Sequence, residues 1–312
     1  MNNCVLTVTL NPAIDKTLTV SNFKTGKDFR EEAIFISAGG KGINISQILN
    51  SLKIKSIATG FLGGHNGNFI KENLIKNKIN ADFCIIKGNS RISHTIINPS
   101  TKIITRILER GPKITTKDLS NFKKKYLNLL KKSDYVVLSG RNVPGAPDNF
   151  YSNLISYAKK RQKITILDTS GHPYDIALKN KPFIIKPNLK EAEQIIGKKL
   201  NSLQKKLEAI YFFHNLGVKI VILTIGSKGA LASNGNKIIF AIPPKIIRKS
   251  PVGCGDSFIA GFIAYHKNNK SFEDCVKMGI SCGTANALNI YPGIIKLSDI
   301  KKIFSQIKIK NI

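Results

Sequence analysis

Three short segments of this chain combine glycine, amide and charged residues in spacings that suit phosphate chemistry. In Pro251-Val252-Gly253-Cys254-Gly255-Asp256-Ser257-Phe258-Ile259-Ala260-Gly261-Phe262, two glycines open an apolar helix and a carboxylate falls in its first turn. Exposed backbone N–H groups and the positive end of the helix dipole there make a pocket for negative charge. A carboxylate beside such a pocket fits phosphoryl transfer: the amides hold the moving group while Asp256 accepts the proton of the attacking hydroxyl. An Asp at this place can equally be a plain helix cap. Ser37-Ala38-Gly39-Gly40-Lys41-Gly42-Ile43-Asn44 again has glycines opening a helix, with Lys41 and Asn44 as polar contacts for an anionic or polyhydroxylated ligand, or it is only a flexible turn. In Lys186-Pro187-Asn188-Leu189-Lys190-Glu191, Asn and Glu three apart straddle a helix start, where Glu can hold water around Mg²⁺ or complete a capping box. Other nucleotide signatures are missing: there is no Gly-x-x-x-x-Gly-Lys-Ser/Thr, and the run beginning at Gly253 fails Gly-x-Gly-x-x-Gly at its last position.

These segments need a scaffold. Near-continuous apolar runs at Val5–Leu10, Ser56–Phe61, Tyr135–Ser139, Ile164–Asp168, Phe183–Lys186 and Ile220–Ile225 read as strands buried on both faces. Helical patterns fall at Ile43–Leu52, Asn149–Lys160, Leu203–Leu216, Asp256–His266 and Phe272–Leu288. Strand-helix-strand alternation implies a mostly parallel sheet covered by helices on both sides. Residues 16–38 and 84–112 carry β-type patterns without helices between them and are expected to pair into a small antiparallel sheet, a lid beside the main domain. Ligands gather beyond the carboxyl ends of strands in an open parallel sheet. The residues that follow the strands are Asn11-Pro12-Ala13-Ile14-Asp15, Ser139-Gly140, Asp168-Thr169-Ser170-Gly171, Lys186-Pro187-Asn188 and Thr224-Ile225-Gly226. Taken singly each is ordinary turn chemistry; their sum points to a site.

Composition narrows the class. The 312 residues, 42% hydrophobic and 22% charged, suit one large domain or a domain with a small attachment. No apolar stretch approaches the ~18 residues of a membrane span, and the first residues lack a basic leader pattern, so a cytoplasmic, membrane-free protein is expected. Five scattered cysteines without Cys-x-x-Cys, and five histidines without i, i+4 pairing, suggest neither disulfides nor a zinc or iron site. The 49 Lys+Arg against 19 Asp+Glu give a formal charge of +30, which attracts polyanions. The lysines are spread along the chain and lack aromatic interleaving, so an A/T-rich codon bias is favoured over nucleic-acid recognition. A basic nucleic-acid-binding protein remains the alternative of another class.

The motifs also carry a resemblance. Gly39-Gly40-Lys41-Gly42-x-Asn44, Asn188-x-x-Glu191 and Val252-Gly253-x-Gly255-Asp256-Ser257, in this order and at these separations, resemble the ribokinase-like carbohydrate kinases, in particular their phosphofructokinase-B (PfkB) branch, over essentially the whole chain. Thr9-Leu10-Asn11-Pro12-Ala13-Ile14-Asp15, Leu138-Ser139-Gly140 and Leu167-Asp168-Thr169-Ser170-Gly171 fit the same group. The resemblance implies a single ribokinase-like kinase domain over 1–312: an α/β three-layer sandwich with a β-sheet lid, often shared in a homodimer. It implies ATP- and Mg²⁺-dependent phosphorylation of a ketohexose phosphate to the bisphosphate, with tagatose 6-phosphate or fructose 1-phosphate as acceptor. Fructose 6-phosphate, or a ribose or nucleoside acceptor, is the alternative within the fold. By resemblance, Asp256 would be the base, and the amides of Gly253, Cys254, Gly255 and Asp256 the anion hole. Asp15, Gly39, Gly40, Lys41, Asn44 and Ser139 would hold the sugar, and Arg91 its phosphate, a task suited to a planar guanidinium. Lys186, Asn188, Thr224, Gly226, Gly229 and Asn286 would line ATP, and Glu191 would reach Mg²⁺ through water. Three positions depart from the pattern: Arg106 replaces the usual lid acid, Arg141 the second Ser of Ser-Gly-Ser, and Cys254 an Ala or Ser.

Overall fold

The apolar runs become the strands of one large sheet, and their alternate residues face two separate cores. The computed structural model describes residues 4–312. Across the sheet, Asn80–Ala81, Ser56–Gly63, Cys4–Thr9, Ser133–Ser139, Ile164–Asp168, Ile184–Ile185 and Ile220–Thr224 run parallel. Ala230–Ser233, Ile238–Ile242 and Lys308–Asn311 extend it antiparallel. On one face Val5, Val137, Ile166, Ile184 and Ile222 pack against the helices Lys41–Ser51, Cys254–His266, Phe272–Ala287 and Leu297–Gln306. On the other face Leu6, Val8, Leu138, Leu167, Val221 and Leu223 pack against Thr116–Leu130, Phe150–Lys159 and Leu203–Asn215. Burial on both faces is why these strands read as continuous apolar runs in place of an alternating pattern.

A separate sheet is formed by Ala33–Gly39, Ala13–Thr19, Arg91–Asn98 and Ile103–Leu108, in that spatial order. It departs from the expected small antiparallel sheet in two ways. Its two outer pairs are antiparallel, but the central pair, Ala13–Thr19 with Arg91–Asn98, the first strands of the two hairpins, is parallel. Cys84–Ile86 does not belong to it and pairs with Ser56–Gly63. Phe35 stacks on Tyr291 at 3.9 Å between ring centroids, which turns the face of the small sheet carrying Ser37, Asp15 and Ser93 toward the body.

Element ends match the turn chemistry. The run Phe183–Lys186 contracts to the strand Ile184–Ile185, since Pro187 has no N–H for a sheet ladder. The helix predicted from Asp256 begins at Cys254 behind a left-handed Gly253 (φ 80°), which sets Asp256 in its first turn. Among the described residues, no helix is long and apolar enough to cross a membrane.

Candidate active site

The carboxyl ends of the parallel strands and the inner face of the small sheet meet around the first turns of two helices. Asp256 is buried at the start of Cys254–His266, and its Oδ2 accepts a hydrogen bond of 2.8 Å from Asn44 Nδ2, on the first turn of Lys41–Ser51. The two glycine motifs, more than two hundred residues apart, are thereby joined side chain to side chain. Burial pushes the Asp256 carboxyl up to about 6; Lys41 and the Asn44 bond oppose this, and the neighbouring Asp168 adds to it. A carboxyl in that range can lose and regain a proton near neutral pH.

Lys41 Nζ donates to Asp168 Oδ2 at 3.1 Å, and Lys186 Nζ lies 3.3 Å from Asp168 Oδ1. Burial alone would raise Asp168, but the Lys186 and Lys41 ammonium groups hold it below the ordinary carboxylate range. Burial likewise disfavours the Lys41 charge, yet Asp168, Asp256 and Glu191 together raise it above its usual value. A Cβ added at Gly255 would stand 3.0 Å from Lys186 Nζ, so this ammonium rests against the backbone of the proposed anion hole.

On the side of the small sheet, Gly39 leaves room for the Asp15 carboxylate, whose Cγ would lie 2.1 Å from a Cβ at that position. Gly40 adopts φ 115°. A Cβ at Gly42 would meet Thr9 Oγ1 at 2.4 Å and Ser139 Oγ at 3.2 Å, which puts Ser139 against the same helix start. The hydroxyls of Thr9 and Ser139 are buried and have no hydrogen-bond partner in the protein. Arg91 Nε donates to the Asn11 carbonyl at 3.0 Å, beside an open cavity of about 600 Å³ that Arg91 lines with Lys87, Asn89, Glu109 and Lys113. Burial raises the Asp15 carboxyl, against the pull of Arg106 and Arg91. Arg106 pairs with Thr95 across the small sheet and so lies on the same face as Asp15. The charges of Arg106 and Arg141 both act on Arg91.

The residues expected along ATP divide. Lys186, Asn188 and Thr224 adjoin one another, with Asn188 and Thr224 bridged across two strand ends. Gly226 has open space where a side chain would be, whereas Gly229 packs against the Ala241 carbonyl. Asn286 is fully buried: its Nδ2 donates to Val252 O at 2.7 Å and its Oδ1 accepts from Gly293 N at 3.1 Å, which fastens the loop ahead of Gly253. Asn188 and Glu191 form a complete capping box, with Glu191 Oε2 accepting from Asn188 N at 2.9 Å. Among the described residues no three His, Cys, Asp or Glu side chains converge as a metal site. Glu191 uses Oε2 in the capping box, and its second carboxylate oxygen is a hard donor of the kind that suits Mg²⁺.

A model described as the pfkB family carbohydrate kinase matches residues 3–295. The chain belongs to the PfkB family of carbohydrate kinases. As a PfkB kinase it is a phosphotransferase, and its relatives match it end to end. It is 33% identical over 310 residues to the tagatose-6-phosphate kinase of Staphylococcus epidermidis, covering 98% of this chain and 99% of that one. It is 35% identical over 315 residues to the 1-phosphofructokinase of Borreliella burgdorferi, covering 99% of each. A possible 1-phosphofructokinase from Thermotoga maritima superposes with a TM-score of 0.92 at 26% identity, covering 99% of both chains. In this PfkB chain the sequence motifs left Asp168 without a role, although it joins the two lysines. The available signal was an acid closing a buried parallel strand, the place where such folds gather their ligands.

Proposed function

We propose that this PfkB kinase transfers the γ-phosphoryl group of ATP to a ketohexose phosphate, tagatose 6-phosphate or fructose 1-phosphate, giving the bisphosphate. The observation that carries the reading is Asp256, a buried carboxyl pushed up to about 6 at a glycine-opened helix start and held by Asn44. Asp256 takes the proton of the acceptor hydroxyl as its oxygen attacks the γ-phosphorus. The bond from that phosphorus to the β–γ bridging oxygen breaks, and ADP leaves with the electron pair. The amides of Gly253, Cys254 and Gly255 bind the transferring group. Asp15, Gly39, Gly40, Lys41, Asn44 and Ser139 hold the sugar, with Arg91 on its phosphate. Lys186, Asn188, Thr224 and Gly226 lie along ATP, with Gly229 and Asn286 shaping the loops behind it. Glu191 would hold Mg²⁺ through water, and the ion would supply charge neutralisation on the phosphates.

The names of the relatives, matched end to end, support a phosphorylated ketohexose, and so do the cations Arg91 and Lys41, which an acceptor without phosphate would not need. The outer face of the small sheet exposes Ile34, Ile36 and Ile107 at 44, 42 and 57%, which supports a homodimer formed through this sheet as a lid over the sugar. A cytoplasmic setting suits the substrates. The test is ADP release with Mg-ATP against tagatose 6-phosphate, fructose 1-phosphate, fructose 6-phosphate, ribose and adenosine. One of the first two should dominate, and Asp256→Asn should lower kcat by about a thousandfold or more with ATP affinity retained. Dominance of adenosine or ribose, or near-normal turnover of the variant, would refute the reading.

A further inference from the structure

Asp168 ends the strand Ile164–Asp168 fully enclosed, and its two carboxylate oxygens face different lysines. Oδ2 accepts from Lys41 Nζ at 3.1 Å, and the same ammonium lies 3.4 Å from the Asp168 carbonyl. Oδ1 lies 3.3 Å from Lys186 Nζ and has no well-directed hydrogen bond. Lys41 comes from the sugar-side motif, and Lys186 rests against Gly255 in the anion hole. Among the described residues neither ammonium forms an ion pair with Asp256, although both act on it electrostatically.

A buried ion triad is an expensive way to gain stability, because desolvation of each ion offsets much of the attraction. Its value here is in placement. Two cations share one anion, so the triad keeps one net positive charge, with Lys186 beside Gly255 at the helix start that carries Asp256. Were Asp168 absent, both lysines would have only Asp256 as a nearby buried anion, and a carboxylate paired with an ammonium is a poorer base. We infer that Asp168 is a positioning residue for the transfer: it holds Lys41 and Lys186 as a pair beside the anion hole and keeps them off Asp256. This rests on the kinase reading above.

Asp168→Asn keeps the shape and removes the charge. The groups facing Asp256 are Lys41, Asp168, Lys186 and Asn44, and those acting on Lys41 are Asp168, Asp256 and Glu191. With Asp168 neutral, the acid limb of the pH–rate profile is therefore expected to move to lower pH by about half a unit or more. Turnover is expected to fall about thirtyfold or more, with both KM values within about threefold. In a Lys41→Met background, which drops one cation along with the anion and so protects folding, the same change should cost less than about threefold further. Turnover within about twofold of the unsubstituted enzyme, a loss confined to KM, or additive losses in the double variant would overturn the inference.

A second readout needs no turnover. Acetic anhydride labelling of Lys41 at pH 9, followed by peptide mass spectrometry, should be about tenfold faster in Asp168→Asn, since the ammonium loses its partner. An unchanged rate overturns the clamp. If labelling responds but no ketohexose phosphate is turned over by the unsubstituted enzyme, the substrate reading fails and the clamp stands. If the enzyme turns over normally and labelling does not respond, the clamp alone fails.

Discussion

At the scale of single residues, the decisive property is how an environment changes what a carboxyl group can do. Asp15, Asp168 and Asp256 are the same side chain in three settings. Burial raises Asp15 and Asp256, while two ammonium groups hold Asp168 low. Of the three, Asp256 is the one pushed up to about 6, and it is also the one at the helix start. A base must be unprotonated, so kcat/KM should fall about tenfold per pH unit below about 6 and level off above it. The check is the pH–rate profile of the ketohexose phosphate reaction from pH 5 to 8; a profile flat to pH 5 would remove Asp256 from the base role. The residue types at these positions were legible in the chain. Their titration was not, because it depends on neighbours such as Lys41 and Asp168 that lie far apart in sequence.

At the scale of elements, the glycine motifs work through close approach. Gly39 is paired with Ala13 inside the small sheet, and its missing Cβ is what lets the Asp15 carboxylate lie across the strand. Gly39→Ala would force that carboxylate aside. The expected result is a KM for the sugar phosphate raised by about tenfold or more with the KM for ATP little changed. Steady-state kinetics with each substrate varied in turn measures this, and an equal rise in both would show a general distortion. Long periodic elements such as Phe272–Ala287 were readable because one apolar stripe repeats over many turns. The parallel pairing of Ala13–Thr19 with Arg91–Asn98 was not, because a strand's residues do not state the direction of its partner. The antiparallel strands Ala230–Ser233 and Ile238–Ile242 escaped the sequence reading for another reason: each is only four or five residues long.

At the scale of the whole molecule, two surface properties invite partners. The formal charge of +30 is distributed along the chain and predicts only weak attraction to polyanions that salt screens away. The exposed isoleucines of the small sheet are concentrated on one face, opposite the face turned to the site. Ile36→Asp combined with Ile107→Asp should therefore halve the mass seen by light scattering, if that face joins two copies, and leave the far-UV spectrum unchanged. A mass unchanged by the pair of substitutions would move the interface elsewhere.

The sequence by itself determined the layered α/β class, since apolar runs and helical stripes record local burial and secondary structure. It also determined the family, because glycines and charged residues at fixed separations survive as short local motifs. Only the tertiary structure decided how Asn44 meets Asp256, how Lys186 reaches Gly255, and how one carboxylate at Asp168 takes hold of two lysines. Those contacts span from 18 to 212 residues of chain. They exist because a parallel sheet gathers the carboxyl ends of distant strands along one edge, and the order in which it does so is written in no local pattern.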